Sequence, residues 1–348
     1  MLLRFLIFGA GAIGTYIGGS LALAGHNVIF FERPEIALRL RERGISLEIN
    51  TISRHIAEVE VADSLIAALT KGPYDVAILA VKSYDTEDVL QSLSPYVAAL
   101  PVFLCLQNGV ENEGALARIL GEERVIAGTV TSAVGRRDAG DIILERYRGM
   151  GVAAGHALAI DLVLALNLGG LNAKLYPQAA SLKWSKMLTN LMANASSAIL
   201  NLAPHEIYAD PALYQMEIEQ MREALTIMDA LNIKVTDLPG TPVRLLTRIV
   251  RRFPPSLSRP LLARALSSGR GAKMPSFYLD LVGGRGKSEV AYLNGAVVRY
   301  GEKTGIPTPV NQVYTRVLTA LACGDVSRAE FDHQPQKLIN LVQEARVQ

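Results

Sequence analysis

Between residues 4 and 176, short uninterrupted apolar runs alternate with stretches whose apolar positions recur every three to four residues. Arg4–Phe8, Val28–Phe31, Asp75–Val81 and Val102–Leu106 are continuous aliphatic or aromatic runs, the pattern of strands buried on both faces. Ile13–Ala24 and Glu35–Arg43 carry helical periodicity between them. This alternation predicts a doubly wound parallel sheet. From Val125 to Val152 the runs lengthen and are punctuated by Gly128, Gly135, Gly140, Gly149 and Gly151. Strands are expected there, with antiparallel members closing one side of the sheet. A helix near Ala157–Leu168 and a strand near Asn172–Tyr176 complete the pattern. After Pro177 strand signals stop, and Ser181–Leu202, Pro211–Leu231, Ser288–Thr304 and Asn311–Leu321 all show helical spacing. The expected fold class is α/β, a doubly wound domain over 1–177 followed by an all-helical domain over 178–348. The 348-residue length fits this division, since single cores stop growing near roughly 250–300 residues.

Composition narrows the class. Half the chain is hydrophobic and a fifth is charged, which excludes a disordered chain or a fibre. The net charge of +2 gives no general attraction to nucleic acid. Residues 1–177 carry 15 Lys/Arg against 19 Asp/Glu, and residues 178–348 carry 20 against 14. Nine of the second set, Lys234, Arg244, Arg248, Arg251, Arg252, Arg259, Arg264, Arg270 and Lys273, lie in 234–275 against Asp237 alone. That stretch reads as a solvated, partly helical surface excursion, or as an anion-facing flap or a surface for a partner. Cys105 and Cys323 read as separate buried thiols, and His26, His55, His156, His205 and His333 are too scattered for a metal site. The apolar start runs into glycines without a basic leader or cleavage site, and Met187–Pro204 is too short and too polar to span a bilayer. A cytoplasmic protein without membrane or nucleic-acid partners is expected, with a homodimer as the default assembly.

The candidate chemistry begins at Gly9-Ala10-Gly11-Ala12-Ile13-Gly14, a G-x-G-x-x-G between a strand and a helix. Gly9 permits the turn, Gly11 admits a pyrophosphate, and Gly14 lets helix and strand approach. The helix N-terminus adds unpaired N–H groups for the anion. A Rossmann dinucleotide site follows. At the end of the next strand Glu32 and Arg33 are adjacent. An acid there binds the 2′-hydroxyl of NAD, whereas an arginine accommodates the 2′-phosphate of NADP, so the motif leaves the choice open. Lys82 and Asn108 follow later strands on the edge where such sheets bind ligands. Each can equally be an ordinary loop residue.

In the helical half, Lys186, Asn190 and Asn194 are spaced i, i+4, i+8. They fall within an arc of roughly 80° at about 100° per residue, and Ser197 lies in the same arc. Polar groups on so apolar a helix either bond one another and a neighbouring helix or line a wet cleft. Glu289 opens a later helix, and Ser276 and Asp280 are again four apart.

Together the glycine turn, Val81-Lys82, Leu106-Gln107-Asn108-Gly109-Val110, Lys183-Trp184-Ser185-Lys186 with Asn190 and Asn194, Ser276 with Asp280, Ser288-Glu289 before Leu293-Asn294-Gly295, and Gly305-Ile306-Pro307-Thr308-Pro309-Val310-Asn311 stand in a telling order. The order resembles the ketopantoate reductase (2-dehydropantoate 2-reductase) family over nearly the whole chain. The resemblance implies a Rossmann domain and an all-helical domain, and NADPH-dependent reduction of ketopantoate to pantoate on the way to pantothenate and coenzyme A. It implies Lys186 as general acid and Glu289 as the acid on the hydroxyl side of the substrate. Asn108, Asn190, Asn194 and Ser276 become substrate and nicotinamide contacts, and Arg33 the reader of the 2′-phosphate. A positioned ammonium would stabilise and then protonate the oxygen of a keto group receiving hydride. The chain departs from the family pattern at Glu32 beside Arg33, in one extra residue between Asp280 and Glu289, and in a basic insertion at 234–275. Two alternatives therefore stand: an NADH-linked reductase of another branched 2-oxo acid, yielding a D-2-hydroxy acid, and a non-catalytic dinucleotide-binding protein.

Overall fold

The computed structural model describes residues 2–260, 262, 273–284 and 286–347. The chain forms two compact units, Met1–Lys183 with Asp237–Thr241, and Trp184–Thr236 with Pro242–Gln348. The expected boundary at Pro177 falls two residues before the helix Ala179–Leu191, in which the chain passes from one unit to the other.

The first unit contains β1 (Arg4–Phe8), β2 (Asn27–Phe31), β3 (Ile45–Ile49), β4 (Ile52–Ile56), β5 (Glu60–Ala62), β6 (Val76–Leu79), β7 (Val102–Cys105), β8 (Val125–Val130), β9 (Ala133–Asp138), β10 (Asp141–Arg146), β11 (Met150–Ala153) and β12 (Ala173–Tyr176). Eight of these make one sheet in the order β12-β11-β8-β7-β6-β1-β2-β5. From β5 to β8 every neighbouring pair is parallel, and β11 closes antiparallel on β8. The six-strand parallel part has the order of a Rossmann sheet, reversing at β1. Alternate residues of β1 face opposite cores. Phe5 and Ile7 pack with Tyr16, Ile17 and Leu21 of the helix Ala12–Leu23, while Leu6 and Phe8 pack with Leu90 and Leu116 of helices on the other face. Burial on both faces is the reason these runs are continuously apolar.

The glycine-punctuated region departs from expectation. Of its strands, β8 and β11 enter the large sheet, but β9 and β10 leave it. They join β3 and β4, which the apolar pattern did not announce, in a second sheet of order β4-β3-β10-β9. The pairing of β3 with β10 joins residues nearly a hundred positions apart. β4 is largely exposed, so it lacks the apolar alternation that marks a strand.

The second unit is helical: Ala195–Leu200, Pro204–Ala209, Pro211–Ala230, Val243–Arg252, Ser276–Val282, Asn294–Thr304, Pro309–Cys323 and Pro335–Ala345. Four of these begin at a proline, whose fixed φ and missing N–H suit the first helical position. Asp210 caps the longest, accepting from Ala212 N at 2.8 Å and Leu213 N at 3.0 Å. Gly305 and Gly324, at φ +70° and +83°, end two others in the left-handed conformation.

Three details of the sequence reading change here. The stretch 181–202 is two helices, broken at Met192–Asn194, because Ala193 takes φ +48°. The basic segment 234–275 is not one excursion. Its residues 237–241 belong to the first unit, where Tyr176 Oη donates to Asp237 O at 3.0 Å and Thr131 Oγ1 to Pro239 O at 3.0 Å. It then runs into the helix Val243–Arg252, on which Arg251 pairs with Asp229 at 2.8 Å. Arg264 and Arg270 lie outside the described residues. Finally, Cys105 is buried but Cys323 is exposed, at the end of its helix.

Candidate functional site

The parallel register sets the first half of the site. Phe8 pairs with both Phe31 and Leu79, and Leu79 with Cys105. The chain therefore leaves β1, β6 and β7 at one level, and Gly9-Ala10-Gly11, Val81-Lys82 and Gln107-Asn108 follow side by side on the carboxyl edge of the sheet. The three glycines act differently. Gly9 sits at φ +93°, which residues with a Cβ rarely adopt. A Cβ on Gly14 would land on the Gly9 carbonyl oxygen, whereas one on Gly11 would meet nothing within 4 Å. Gly14 is thus required by packing, and Gly11 leaves open the space through which a phosphate would approach the N-terminus of the helix Ala12–Leu23. Ala12 and Ile13 form its first turn. These residues fit a dinucleotide.

Glu32 bends back to the turn, accepting from Ala10 N at 2.5 Å and from Arg33 N at 3.1 Å. The carboxylate thus occupies one amide of the turn, and Arg33 stands exposed beside it. Lys82 precedes a 3₁₀ turn, Ser83–Asp85.

Around Asn108 a buried polar cluster fixes the backbone. Ser83 Oγ donates to Asn108 O at 2.9 Å and Asn112 Nδ2 to the same oxygen at 2.6 Å. Gln107 Nε2 donates to Val81 O at 3.2 Å and to Thr86 Oγ1 at 2.7 Å, tying the β6 and β7 loops together. Lys183, only 5% exposed, donates through Nζ to Gln107 O at 2.6 Å and Gly128 O at 3.3 Å, and pairs with Glu113 at 2.7 Å. Burial alone would lower the Lys183 pKa, but the Glu113 carboxylate outweighs it and holds the pKa above its ordinary value. Burial pushes the neighbouring Cys105 thiol up. Sequence reasoning assigned no role to Lys183, Gln107 or Asn112. The available signal was polar side chains placed inside or just beyond apolar runs.

In the second unit, Lys186 and Asn190 lie one turn apart on the helix Ala179–Leu191, both half-buried. The break at Met192–Asn194 removes Asn194 from their stripe. Its Nδ2 donates to Ser276 Oγ at 3.3 Å and its Oδ1 accepts from Phe277 N at 3.1 Å, so two sequence-predicted residues meet through the break and not along the helix. Ser197 leaves the stripe too, as a fully buried hydroxyl. Glu289, 2% exposed, opens a 3₁₀ turn whose cap is Ser288, which accepts from Val290 N at 3.2 Å.

Behind these residues lies a buried polar network that the sequence reading missed. Asn294 Nδ2 donates to Gln220 Oε1 at 3.1 Å and to Asn311 Oδ1 at 2.9 Å, and Asn311 Nδ2 to Glu223 Oε2 at 2.6 Å. Glu223 also accepts from Val310 N and Asn311 N, at 2.9 and 3.1 Å. Burial pushes its carboxyl from 4.5 up to about 7 against those donors. The sequence signal was Glu217 and Gln220 interrupting the apolar face of Pro211–Ala230, where Leu213, Met216, Met221 and Ala224 are buried. Among the described residues no helix is long and apolar enough to cross a membrane.

Comparison with known proteins identifies the family. Residues 5–155 match the family model "Ketopantoate reductase PanE/ApbA", and residues 179–322 the model "Ketopantoate reductase PanE/ApbA C terminal". A 2-dehydropantoate 2-reductase of Archaeoglobus fulgidus is 26% identical over 92% of this chain and 98% of its own. The crystal structure of a PanE/ApbA family ketopantoate reductase from Ralstonia eutropha JMP134 superposes with a TM-score of 0.77 at 26% identity, covering 92% of this chain and 98% of that one. The fold is also that of a D-mandelate dehydrogenase solved with NADH and anilino(oxo)acetate, with a TM-score of 0.75 at 20% identity, covering 92% of this chain and 99% of that one.

Proposed function

The chain belongs to the ketopantoate reductase family, an oxidoreductase family, and from that premise we propose that it reduces 2-dehydropantoate to pantoate with NADPH. The observation that carries this reading is the pairing of two features: a glycine turn open at Gly11 in one unit, and in the other Lys186 and Asn190 one turn apart, followed by Asn194 on Ser276. Gly9, Ala10, Gly11, Ala12, Ile13 and Gly14 hold the pyrophosphate, and Arg33, Lys82 and Asn108 take the outer phosphate, the backbone phosphates and the nicotinamide end. The dinucleotide supplies the hydride. Lys186 donates a proton through Nζ to the keto oxygen as negative charge develops there. Asn108, Asn190, Asn194 and Ser276 hold the carboxylate and the flanking polar groups of the 2-oxo acid, and Glu289 accepts from its hydroxyl. The cluster that fixes Asn108 O belongs to this task, because hydride transfer tolerates little misplacement of its partners.

A second reading has its own observation. Glu32 stands where an acid selects the 2′-hydroxyl of NAD, and the mandelate enzyme of this fold was solved with NADH. It makes the chain an NADH-linked reductase of another branched 2-oxo acid.

One experiment separates the two readings: NADPH and NADH oxidation with 2-dehydropantoate and a panel of branched and aromatic 2-oxo acids, on wild type and Arg33→Ala. The first reading expects 2-dehydropantoate and NADPH to win, with the NADPH preference lost in Arg33→Ala. Lys186→Ala is expected to lose about 10²–10⁴ in kcat. Retention within about twofold would remove Lys186 as the acid. Binding of either dinucleotide without turnover of any 2-oxo acid would leave only the non-catalytic alternative.

A further inference from the structure

Asn190 and Asn194 stand on either side of the break in their helix, and a carboxylate with no part in the reaction above shapes that break. Glu217 lies on the buried face of the helix Pro211–Ala230 and is 1% exposed. Its Oε2 accepts from Ala193 N at 2.5 Å and from Gln220 Nε2 at 2.6 Å. Its Oε1 accepts from Ser196 Oγ at 2.7 Å and from Tyr314 Oη at 3.2 Å. Gln220 Nε2 also donates to Leu191 O, the last carbonyl of the helix, at 3.2 Å.

Ala193 holds φ +48°, a conformation that costs a residue with a Cβ and persists only where its surroundings impose it. In a continuous helix the Ala193 N–H would bond the carbonyl four residues earlier. Here it points at Glu217. Asn194 N then closes a tight turn onto Leu191 O at 3.3 Å, and the new helix starts at Ala195. Were the helix continuous, Asn194 would lie on the stripe of Lys186 and Asn190. With the break, its side chain meets Ser276 and Phe277.

We propose that Glu217 is a positioning residue: by taking the Ala193 N–H it keeps the helix broken, and it thereby sets where Asn194 and Ser276 stand relative to Asn190. The proposal rests on the reading of those residues as substrate contacts. Its specific consequence is that substrate binding, and not dinucleotide binding, depends on Glu217.

The test uses the full chain with Glu217→Met, Glu217→Gln, and Glu217→Met combined with Ala193→Gly. Methionine keeps the volume and removes the acceptor. Glutamine can place its oxygen at the Oε2 position, keeping the Ala193 bond, while its amide donates to the Ser196 and Tyr314 hydroxyls, which turn to accept. Glu217→Met is expected to raise the KM for the 2-oxo acid about 10- to 100-fold with the dinucleotide Kd within about twofold. Glu217→Gln is expected to stay within about threefold of wild type in that KM. Ala193→Gly should recover much of the loss in the double variant, because glycine enters φ > 0 freely. A core-filling role for Glu217 would give no such rescue, and its absence overturns the proposal, as does a parallel rise in dinucleotide Kd. If Glu217→Met gives no soluble protein, the double variant decides: recovered yield supports the proposal and continued insolubility sinks it. Amide exchange at Ala193–Ser196, referenced to Pro309–Cys323, makes the test independent of activity. It should quicken in Glu217→Met and stay slow in Glu217→Gln. Should wild type reduce no 2-oxo acid, the functional reading fails while exchange still decides the role of Glu217, and unchanged exchange in Glu217→Met overturns it.

Discussion

The two units bury charge by opposite means. In the first, Lys183 lies beneath the carboxyl edge of the sheet with a carboxylate against it, and it also donates to the Gln107 and Gly128 carbonyls. In the second, Glu217 and Glu223 sit inside the helices among neutral donors: amides, hydroxyls and backbone N–H groups. A cation matched by an anion keeps its charge throughout the neutral range and makes its surroundings insensitive to pH. Carboxylates solvated only by neutral dipoles keep the cost of burial, which raises both carboxyls above their ordinary value. The first arrangement fixes a backbone loop, and the second sets the course of two helices.

The comparison breaks most visibly if the ion pair is cut. Lys183→Met leaves Glu113 without its cation, and unfolding free energy from chemical denaturation is expected to fall by about 3–5 kcal/mol. Adding Glu113→Leu should recover most of that loss. A change under about 1 kcal/mol for the single variant would mean that the pair holds nothing in place.

Within the first unit the glycine turn offers a finer division. Gly14→Ala forces a Cβ onto the Gly9 carbonyl and is expected to cost about 1–3 kcal/mol of stability. Gly11→Ala meets open space. It should leave the melting temperature unchanged while raising the dinucleotide Kd about tenfold or more by blocking the approach of the pyrophosphate. Equal destabilisation by the two would erase the distinction between a packing glycine and a binding glycine.

A more gradual effect is the pH dependence of the second unit. The Glu223 carboxyl is near 4.5 in an unfolded chain and about 7 in the folded one. The folded protein therefore retains a proton that the unfolded chain has released. The contribution of Glu223 to stability is greatest below pH 4.5, falls as pH rises between these values and levels off above about 7. Glu217, raised by burial, pulls the same way. A loss of about 1–3 kcal/mol across that window is expected in denaturation at stepped pH, with a shallower slope in Glu223→Gln. A slope unchanged by that substitution would assign the titration elsewhere.

Legibility in the sequence followed the range of the interactions. Four parallel strands, β1, β2, β6 and β7, and the glycine turn were readable because burial on both faces and backbone geometry impose residue types at adjacent positions, whereas the three-residue β5, which pairs with β2, was not. β1, β2, β6 and β7 fall within two residues of their expected limits. The second sheet was not readable, since β3 and β10 find each other across nearly a hundred residues and β4 hides no apolar face. Lys186, Asn190 and Asn194 stood out by spacing, yet the shared stripe that spacing implied exists only for the first two.

By itself the sequence determined the alternation of β1, β2, β6 and β7 with helices, the glycine turn after β1 and the change from strands to helices near Pro177. These follow from periodicity and from steric rules that act within a few residues. The tertiary structure decided the break at Ala193, the return of 237–241 to the first unit, the Lys183–Glu113 pair and the burial of Glu217 and Glu223. Each of these depends on a partner contributed by a distant part of the chain. A helix continues or stops according to which acceptor its N–H groups find, and here the acceptor at Ala193 is a carboxylate from another helix.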